Sequence, residues 1–258
     1  GLAEAAMLAG LPKAPSSFNP VANPKRAKLR QLYVLRRMHE LGFIKDAQLA
    51  EAQKQDLRIK RDVNEFAVRA DHVAEMARQM AYERFQEEAY TRGLRVITTI
   101  VKADQEAAYA SLRRGVLDYD KRHGYRGTKG YADLGQPGTA LDEALEEALQ
   151  EEPDSDDIHA AVILEASPKQ VKAYRRGGET VQVSGDGLKF AQRMLDDKAP
   201  ANKRLRRGAL VYVQKDDKGN WQIVQLPEVE AAFVSASPAD GAIRALVGGF
   251  DFNRNKFN

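Results

Sequence analysis

The sequence predicts an α+β fragment with more than one domain, and three observations carry that prediction. The 258 residues leave room for one large or two small domains. Hydrophobic residues make up 43% of the chain and charged residues 30%, which suits a buried core under a polar surface. Charge is uneven: residues 1–61 hold twelve Lys and Arg against five acidic residues, whereas residues 133–157 hold ten acidic residues and no Lys or Arg. This asymmetry indicates separate modules.

The N-terminal part predicts a group of helices. Residues 1–11 are small and apolar, and the prolines that follow stop the helix and force an extended loop. Asn23 suits an N-cap and Pro24 a first helical position. The next helix ends at Gly42, where Phe43 and Ile44 can fold back on its last turn. Its apolar face is predicted at Leu29, Leu32, Leu35 and Met38, and a short helix from Asp46 to Lys54 completes a helical hairpin.

The middle of the chain mixes helix and strand. Residues 56–70 are charged and without a clear period, which predicts a linker. A helix is predicted from Asp71 to about Glu88, and Gly93 ends it. Residues 94–100 are rich in β-branched side chains and predict a strand, followed by a helix over residues 104–119. The apolar face of the first of these helices is predicted at Val73, Met76, Ala77 and Met80.

The C-terminal half predicts a small β-barrel. Residues 124–138 hold five glycines, and residues 141–150 predict a short acidic helix. Several short strands with one small helix at residues 188–195 suit a barrel of the OB type. A last hairpin is predicted at residues 230–235 and 242–247. The barrel strands are predicted at residues 158–166, 170–174, 180–184, 210–214 and 221–225.

Three passages resemble class A, or bifunctional, penicillin-binding proteins. Residues 4–16, Glu-Ala-Ala-Met-Leu-Ala-Gly-Leu-Pro-Lys-Ala-Pro-Ser, look like the end of the lysozyme-like glycosyltransferase domain. Residues 93–100, Gly-Leu-Arg-Val-Ile-Thr-Thr-Ile, are similar to the start of the transpeptidase domain. Residues 241–252, Gly-Ala-Ile-Arg-Ala-Leu-Val-Gly-Gly-Phe-Asp-Phe, resemble the passage just before the family's serine nucleophile. The resemblance predicts an internal fragment, because the chain opens without Met and stops at Asn258.

The resemblance also implies a domain order. Residues 1–58 would be the helical tail of the glycosyltransferase domain, and residues 59–122 a linker with the first strand and helix of the transpeptidase α/β domain. Residues 123–227 would form the inserted OB-like barrel, an assignment that rests mainly on position. Residues 228–258 would resume the transpeptidase domain and end before the nucleophile.

For function, the resemblance implies a parent enzyme that polymerises lipid-linked peptidoglycan precursor and cross-links stem peptides through an acyl-enzyme serine, the target of β-lactams. Such a protein lies on the periplasmic face of the inner membrane, anchored through a segment absent here. The alternative is an OB-like binding module that docks a periplasmic or outer-membrane regulator protein, peptidoglycan or nucleic acid. We expect no nucleic-acid binding, because the acidic stretch repels phosphate.

We expect neither active site in this chain. No Glu-Asp pair occurs, whereas the family's glycosyltransferase motifs include one, and Glu4 suits a structural position. None of the serines has Lys three residues later, so the Ser-x-x-Lys nucleophile is missing and would follow Asn258. The match of Ser17-Phe18-Asn19 to Ser-x-Asn is accidental. We therefore predict no catalytic, cofactor-binding or metal-binding residue and no cofactor.

Other motifs have simpler interpretations. The four histidines, at positions 39, 72, 123 and 159, lack metal-ligand spacing and are expected on the surface or at caps. Residues 154–157, Asp-Ser-Asp-Asp, lack the glycine of a calcium loop and are expected to be solvated. Gly248-Gly249 is expected to be a turn. The main rival site is basic: residues 203–207, Lys-Arg-Leu-Arg-Arg, near Tyr212 and Trp221, could bind nucleic acid, but a solvated or interdomain basic edge is favoured.

Overall fold

The computed structural model describes residues 1–13, 15, 18–21, 23–55, 57, 67–135 and 139–254, except for the side chains of residues 139, 140, 142 and 143. The chain divides into two compact units. The first unit joins Gly1–Val63 to Tyr125–Gln225, and the second joins Asn64–Gly124 to Leu226–Asn258. Most of the expected linker, residues 56 and 58–66, lies outside the described residues. Within the described ranges, none of the helices has the length and apolar character needed to cross a membrane.

The first unit begins with three helices: α1 at Leu2–Gly10, α2 at Pro24–Glu40 and α3 at Asp46–Lys54. Asn23 caps α2, because its side chain accepts a hydrogen bond from the Arg26 backbone, and Pro24 follows it at the first helical position as expected. After α1 the chain tightens into a 3₁₀ turn at Leu11–Lys13, where the sequence predicted an extended loop. The helical hairpin of α2 and α3 is confirmed with its expected boundaries.

The buried face of α2 differs from the expected one. Leu29 is 66% exposed, so the predicted apolar face is wrong at this position, whereas Leu35 is buried as predicted and Met38 packs against the helical core. The buried positions are Ala27, Gln31 and Leu35, four residues apart along one ridge of the helix. This ridge packs against α1, where the Gln31 amide donates to the Ala3 carbonyl at 2.6 Å. A small residue and a hydrogen-bonded amide fit this close helix contact better than a row of leucines would.

The turn after α2 is formed as the sequence predicted, but only one of its two apolar residues is buried. Gly42 has φ +75°, and the Phe43 backbone donates to the Met38 carbonyl at 2.9 Å. Ile44 is 7% exposed and packs into the helical core, whereas Phe43 is 73% exposed.

The rest of the first unit is a curled, five-stranded antiparallel sheet with a helix on its outer face. Its strand order is β3-β2-β1-β4-β5, and the two edge strands lie close together without a ladder in the described residues. A 3₁₀ helix at Gly185–Leu195 connects β3 to β4, at the position predicted for the small helix. The elements are α7 at Thr139–Gln150, β1 at Ile158–Ser167, β2 at Gln170–Arg175, β3 at Glu179–Ser184, β4 at Leu210–Lys215 and β5 at Trp221–Val224.

Both faces of β1 are buried, which explains its nearly continuous apolar sequence. Ala161 and Ile163 point into the core enclosed by the curl, together with Val213 of β4. The alternate residues of β1 point to the other face, on which α7 packs with Leu145 and Leu149 fully buried. The sheet is thus a central layer between its own core and α7.

The second unit contains helices and a two-stranded sheet. The antiparallel hairpin of β6 and β7 turns near Gly241, close to the predicted hairpin, although β6 begins three residues later than expected. Helix α6 packs on β7, with buried Ala108 and Leu112 on its inner face. The elements are α4 at Asp71–Phe85, α5 at Glu88–Thr91, α6 at Lys102–Arg122, β6 at Phe233–Ala236 and β7 at Ile243–Val247.

Three predictions for this unit fail, in whole or in part. Residues 94–100 form no regular strand, because only Thr99 and Val101 hydrogen-bond to the neighbouring residues of the β7 strand, and Ile97 is 82% exposed. The helix predicted to reach Glu88 stops at Phe85, where Gln86 adopts φ +51°. Met80, expected on the apolar face of this helix, is 68% exposed.

Candidate ligand-binding site at the end of the five-stranded sheet

The strand register gathers one aromatic and three basic side chains at one end of the sheet. Trp221 opens β5 directly opposite Lys215, the last residue of β4. His159 near the start of β1 and Arg175 at the end of β2 share the sheet face of Ala161, Val213 and the core. Because the core side chains end here, these four residues line the end of the curl. We call Trp221, Arg175 and Lys215 the cation–tryptophan cluster.

Two cations lie over the Trp221 indole. The Arg175 Cζ is 4.8 Å and the Lys215 Nζ 5.1 Å from the ring centroid, both within the range of cation–π attraction. The His159 ring approaches at 6.2 Å and 71°, an edge-on arrangement. Trp221 itself is half-buried, so part of the ring remains open to solvent.

The cluster carries net positive charge. Arg175 donates from Nη1 to the Glu179 carboxylate at 2.8 Å, and the Arg175 side chain is only 16% exposed. Its Nε is buried and has no hydrogen-bond partner among the described residues. Lys215 is exposed and forms neither a hydrogen bond nor an ion pair with the described residues. Two cations therefore face one exposed carboxylate, which leaves donors for an anion.

Asp154 belongs to His159 rather than to the cluster. Its carboxylate lies 2.8 Å from the His159 Nδ1 and accepts from the Ala160 backbone at 2.9 Å. Partial burial raises the pKa of Asp154. The hydrogen bonds from His159 and Ala160, together with the charge of Arg176, lower the pKa by a larger amount. The pKa therefore lies below its ordinary value of 3.8, and Asp154 is ionised at neutral pH.

Another carboxylate of the acidic loop also accepts a hydrogen bond from within the protein. The Asp157 carboxylate accepts from the Gln214 amide at 2.6 Å, and Asp156 adopts φ +57°. Among the described residues, no group of three or more His, Cys, Asp and Glu side chains is placed to hold a metal ion. The loop thus orients His159 beside the cation–tryptophan cluster.

The structure divides the basic run at residues 203–207. Leu205 is buried in the barrel core, while Arg204 forms an ion pair with Asp197. The guanidinium of Arg206 lies over the Tyr131 ring at 4.3 Å. The cations of this run are therefore separated from one another, and Arg204 and Arg206 already have partners within the protein. They do not form one continuous basic groove.

The two aromatic residues of the rival nucleic-acid site lie on opposite faces of the sheet. Tyr212 is 3% exposed, and its hydroxyl donates to the Glu152 carboxylate at 2.5 Å. Its buried ring is not available for base stacking. Trp221 lies three positions before Val224, the pairing partner of Tyr212, and points to the other face. Alternation along β4 and β5 therefore separates the two rings, which counts against the rival site that the sequence analysis had already disfavoured.

Three histidines have local partners, and one is buried. His39 lies 2.6 Å from the Asp46 carboxylate, and His123 lies on the surface beside the end of α6. His72 is 6% exposed, and its ring meets Phe252 edge-on at 5.0 Å between centroids. The expectation of a surface or capping position is therefore wrong for His72. The sequence missed this packing because a position near the start of a helix gives no sign of it.

The passage that resembles the approach to the serine nucleophile is held by two charged side chains. Phe250 is fully buried, and its carbonyl accepts from the Arg113 Nη1 at 3.1 Å while its N–H donates to Glu230 at 2.9 Å. Arg113 also lies over the Phe250 ring at 4.2 Å. The sequence interpretation missed both residues, because hydrogen bonds to backbone groups leave no apolar or charge pattern.

Two minor predictions concern the N-terminal passage. Glu4 is exposed in the first turn of α1 and pairs with the backbone amine of Gly1. Ser17, part of the accidental Ser-x-Asn match, lies outside the described residues.

Comparison with known proteins identifies both parts of the first unit. Residues 125–229 match the family "Penicillin-binding protein OB-like domain", and residues 1–39 match the family "Transglycosylase". The penicillin-binding protein 1A of Neisseria lactamica is 43% identical over the whole chain, which covers 32% of that protein. The penicillin-binding protein 1A of Escherichia coli K12 is 37% identical, with 31% of it covered. The chain thus spans about a third of these relatives' length.

A solved structure agrees with these relatives. The crystal structure of penicillin-binding protein 1A from Haemophilus influenzae matches 99% of this chain with a TM-score of 0.65 and 33% identity, over 36% of that protein. The transglycosylase and OB-like matches follow each other in the order that the resemblance implied. Together these matches support a fragment of a class A penicillin-binding protein.

Proposed function

We propose that the chain is part of a bifunctional peptidoglycan synthase. The whole protein polymerises lipid-linked precursor and cross-links stem peptides through a serine acyl-enzyme, the step that β-lactams block. One observation carries the proposal: identity to penicillin-binding protein 1A extends across the entire chain, including a transglycosylase match at residues 1–39. In the cell, the protein works at the periplasmic face of the inner membrane, anchored through a segment outside this chain.

The proposed domain order is that of a barrel inserted into the transpeptidase domain. Residues 1–58 end the glycosyltransferase domain, 59–122 begin the transpeptidase part, 123–227 form the OB-like barrel, and 228–258 resume the transpeptidase part. The five-stranded order with a small helix between β3 and β4 supports the barrel. The second unit supports the insertion, because it joins residues on both sides of the barrel.

We propose further that this chain alone has neither activity. It contains no Ser-x-x-Lys, so it offers no lysine one helical turn from a serine to take its proton. It also lacks the Glu-Asp pair expected of the glycosyltransferase motif. The chain therefore contributes no catalytic residue, cofactor site or metal site to the whole protein.

The test compares this chain with the whole protein from the gene that encodes it. The whole protein is expected to bind fluorescent penicillin covalently and to polymerise lipid-linked precursor into glycan strands. The 258-residue chain is expected to do neither at equal concentration. A whole protein that takes no penicillin label would refute the transpeptidase assignment, and labelling of the isolated chain would refute its proposed inactivity.

A second function is favoured by the cation–tryptophan cluster. An OB-like domain that exposes part of a tryptophan between two cations can act as a binding module for peptidoglycan or for a periplasmic or outer-membrane regulator protein. This role is compatible with the first, because a barrel within a synthase can bind while other domains catalyse.

A further inference from the structure

We propose that the cation–tryptophan cluster binds an acidic saccharide–peptide of the peptidoglycan class, with the sugar ring on Trp221 and a peptide carboxylate between Arg175 and Lys215. The chemical class of the ligand rests on the proposed function. The binding chemistry rests on the geometry of the site itself.

The donors at this site suit a carboxylate. A guanidinium has five N–H donors in a planar fork, and Arg175 donates from Nη1 to the exposed Glu179. Its orientation is fixed, because the side chain is 84% buried and stacked on Trp221. Lys215, on the neighbouring strand, adds a second cation whose ammonium has no hydrogen-bond partner among the described residues. A ligand carboxylate can therefore join Glu179 on the guanidinium and also reach the ammonium.

The indole favours a ligand that combines charge with a ring. Trp221 is half-buried, so its position is set by the sheet while part of its apolar surface faces solvent. A pyranose ring presents C–H groups that can pack on such a surface, and the peptidoglycan stem peptide adds carboxylates to the same molecule as the sugar. One ligand of this class can therefore contact both the Trp221 indole and the two cations of the cluster.

The charge balance disfavours nucleic acid. A protein whose DNA binding depends strongly on salt makes about six to ten phosphate contacts, whereas this cluster offers two cations. Glu179 and the ionised Asp154 also lie beside it and repel a polyanion. A single carboxylate meets much less repulsion than a run of phosphates would.

The sole tryptophan makes the test direct. Because Trp221 is the only Trp in the chain, its fluorescence reports this site alone. We expect a saturable change in emission when the 258-residue chain is titrated with a soluble muropeptide that has free carboxylates. The same muropeptide with its carboxylates amidated, and a neutral N-acetylglucosamine oligomer, are expected to bind at least about tenfold more weakly, since charge-assisted hydrogen bonds are lost.

Matched variants locate the effect. Arg175→Gln and Lys215→Gln are each expected to weaken binding about tenfold or more. Lys172→Gln is the control, because Lys172 is an equally exposed β2 cation that pairs with Glu165 away from the cluster. Lys215 is exposed, so its variant remains a valid test if Arg175→Gln does not fold.

Each outcome decides the proposal. Equal affinity for the free and amidated muropeptides, no fluorescence change, or tighter binding of an oligothymidylate would overturn it. Penicillin labelling of the whole protein reports separately on the proposed function. Labelling without muropeptide binding would reject only this inference, and binding without labelling would reject the transpeptidase assignment while leaving the site.

Discussion

The carboxylate of Glu146 joins the helical part of the first unit to its sheet. Glu146 lies on α7 and is 8% exposed. Its Oε1 accepts hydrogen bonds from the Tyr174 hydroxyl at 2.5 Å, the Asn23 amide at 3.1 Å and the Gly177 backbone at 3.2 Å. Asn23 is also the N-cap of α2, so one buried carboxylate connects a helix start, a helix and a strand.

Replacing this carboxylate should destabilise the first unit. Glu146→Ala removes the shared acceptor of three donors at a largely buried position, and a buried hydrogen-bonding group that loses its partner costs about 1–3 kcal/mol. We expect a loss of about 3 kcal/mol in the free energy of unfolding, measured by urea denaturation followed through Trp221 fluorescence. Glu147→Ala is the matched control, because Glu147 is exposed on the same helix, and it should change stability by less than about 0.5 kcal/mol. Equal effects of both variants would contradict this role.

Asp154 should make stability depend on pH in the acid range. Its pKa is lower in the folded chain than its ordinary value of 3.8, so the unfolded state binds the proton more tightly. Its contribution is therefore fully present above that ordinary value and is lost as the pH falls through the lower, folded pKa. We expect the stability difference between the native chain and Asp154→Asn to shrink between about pH 5 and about pH 3. Urea denaturation across this range measures it, and a difference that grows on acidification would refute the assignment.

At the scale of elements, the predictions were correct for segments whose hydrogen bonds are local or whose ends carry clear turn signals. The helix α3, the strands β1 to β5 and the hairpin glycines lie where the periodicity and the turn residues put them. The predictions failed where contacts with distant parts of the chain determine the local structure. Residues 94–100 have the composition of a strand, yet in the described part of the chain only one of them, Thr99, hydrogen-bonds to β7, through its hydroxyl to the Ile243 carbonyl.

The candidate site was also predictable only in part. Trp221 and the acidic loop were singled out from the sequence, but Trp221 was grouped with residues 203–207 and Tyr212. Arg175 and Lys215 were missed as site residues because they come from separate strands, and only the register brings them to the same ring. Knowledge of which strands pair, and in which register, would have revealed these residues, since Lys215 is the direct partner of Trp221.

Gln105 performs the task of a neighbouring strand for β7. It is 1% exposed, its amide donates to the carbonyl of Leu246 at 2.9 Å, and its side-chain oxygen accepts from the Leu246 backbone at 2.8 Å. The same amide donates to the Arg69 carbonyl at 3.0 Å. Through this one side chain, α6 satisfies the backbone of a strand that has a single regular neighbour in the described residues.

Removing this amide should expose β7. Gln105→Leu keeps the volume but leaves the Leu246 N–H and carbonyl unpaired, which costs about 1–3 kcal/mol for each group. We expect the Leu246 amide to exchange its hydrogen at least about tenfold faster, because about 1.4 kcal/mol corresponds to a factor of ten. Glu106→Leu, at the exposed neighbouring position, is the control and should leave that exchange unchanged. Unaltered Leu246 protection in Gln105→Leu would contradict the bridging role.

At the scale of the whole molecule, the chain contains two units that are not consecutive in sequence. Each has its own buried residues: the enclosed core of the five-stranded sheet in the first unit, and the contact of α6 with β7 in the second. The second unit has the form expected of the proposed insertion, since an insertion leaves the flanking segments to complete each other. Units with separate cores can unfold separately.

Unfolding should therefore proceed in two distinguishable transitions. Fluorescence of Trp221 follows only the first unit, whereas far-ultraviolet circular dichroism follows the helices of both. The second unit has the smaller core, so we expect the dichroism signal to begin its change at a lower urea concentration.

A single glycine substitution tests whether the two transitions are independent. A Cβ at Gly187 would lie 2.3 Å from the Trp221 carbonyl oxygen, so Gly187→Ala forces the backbone of the first unit apart at a cost of about 1–3 kcal/mol. We expect it to lower the midpoint of the fluorescence transition while the Leu246 amide of the second unit keeps its protection. Gly130→Ala, whose Cβ would make an ordinary 3.7 Å contact with Leu210, should shift neither. If both signals change together in the native chain and shift together in Gly187→Ala, the units fold as one, and their stability has to be described by a single cooperative transition.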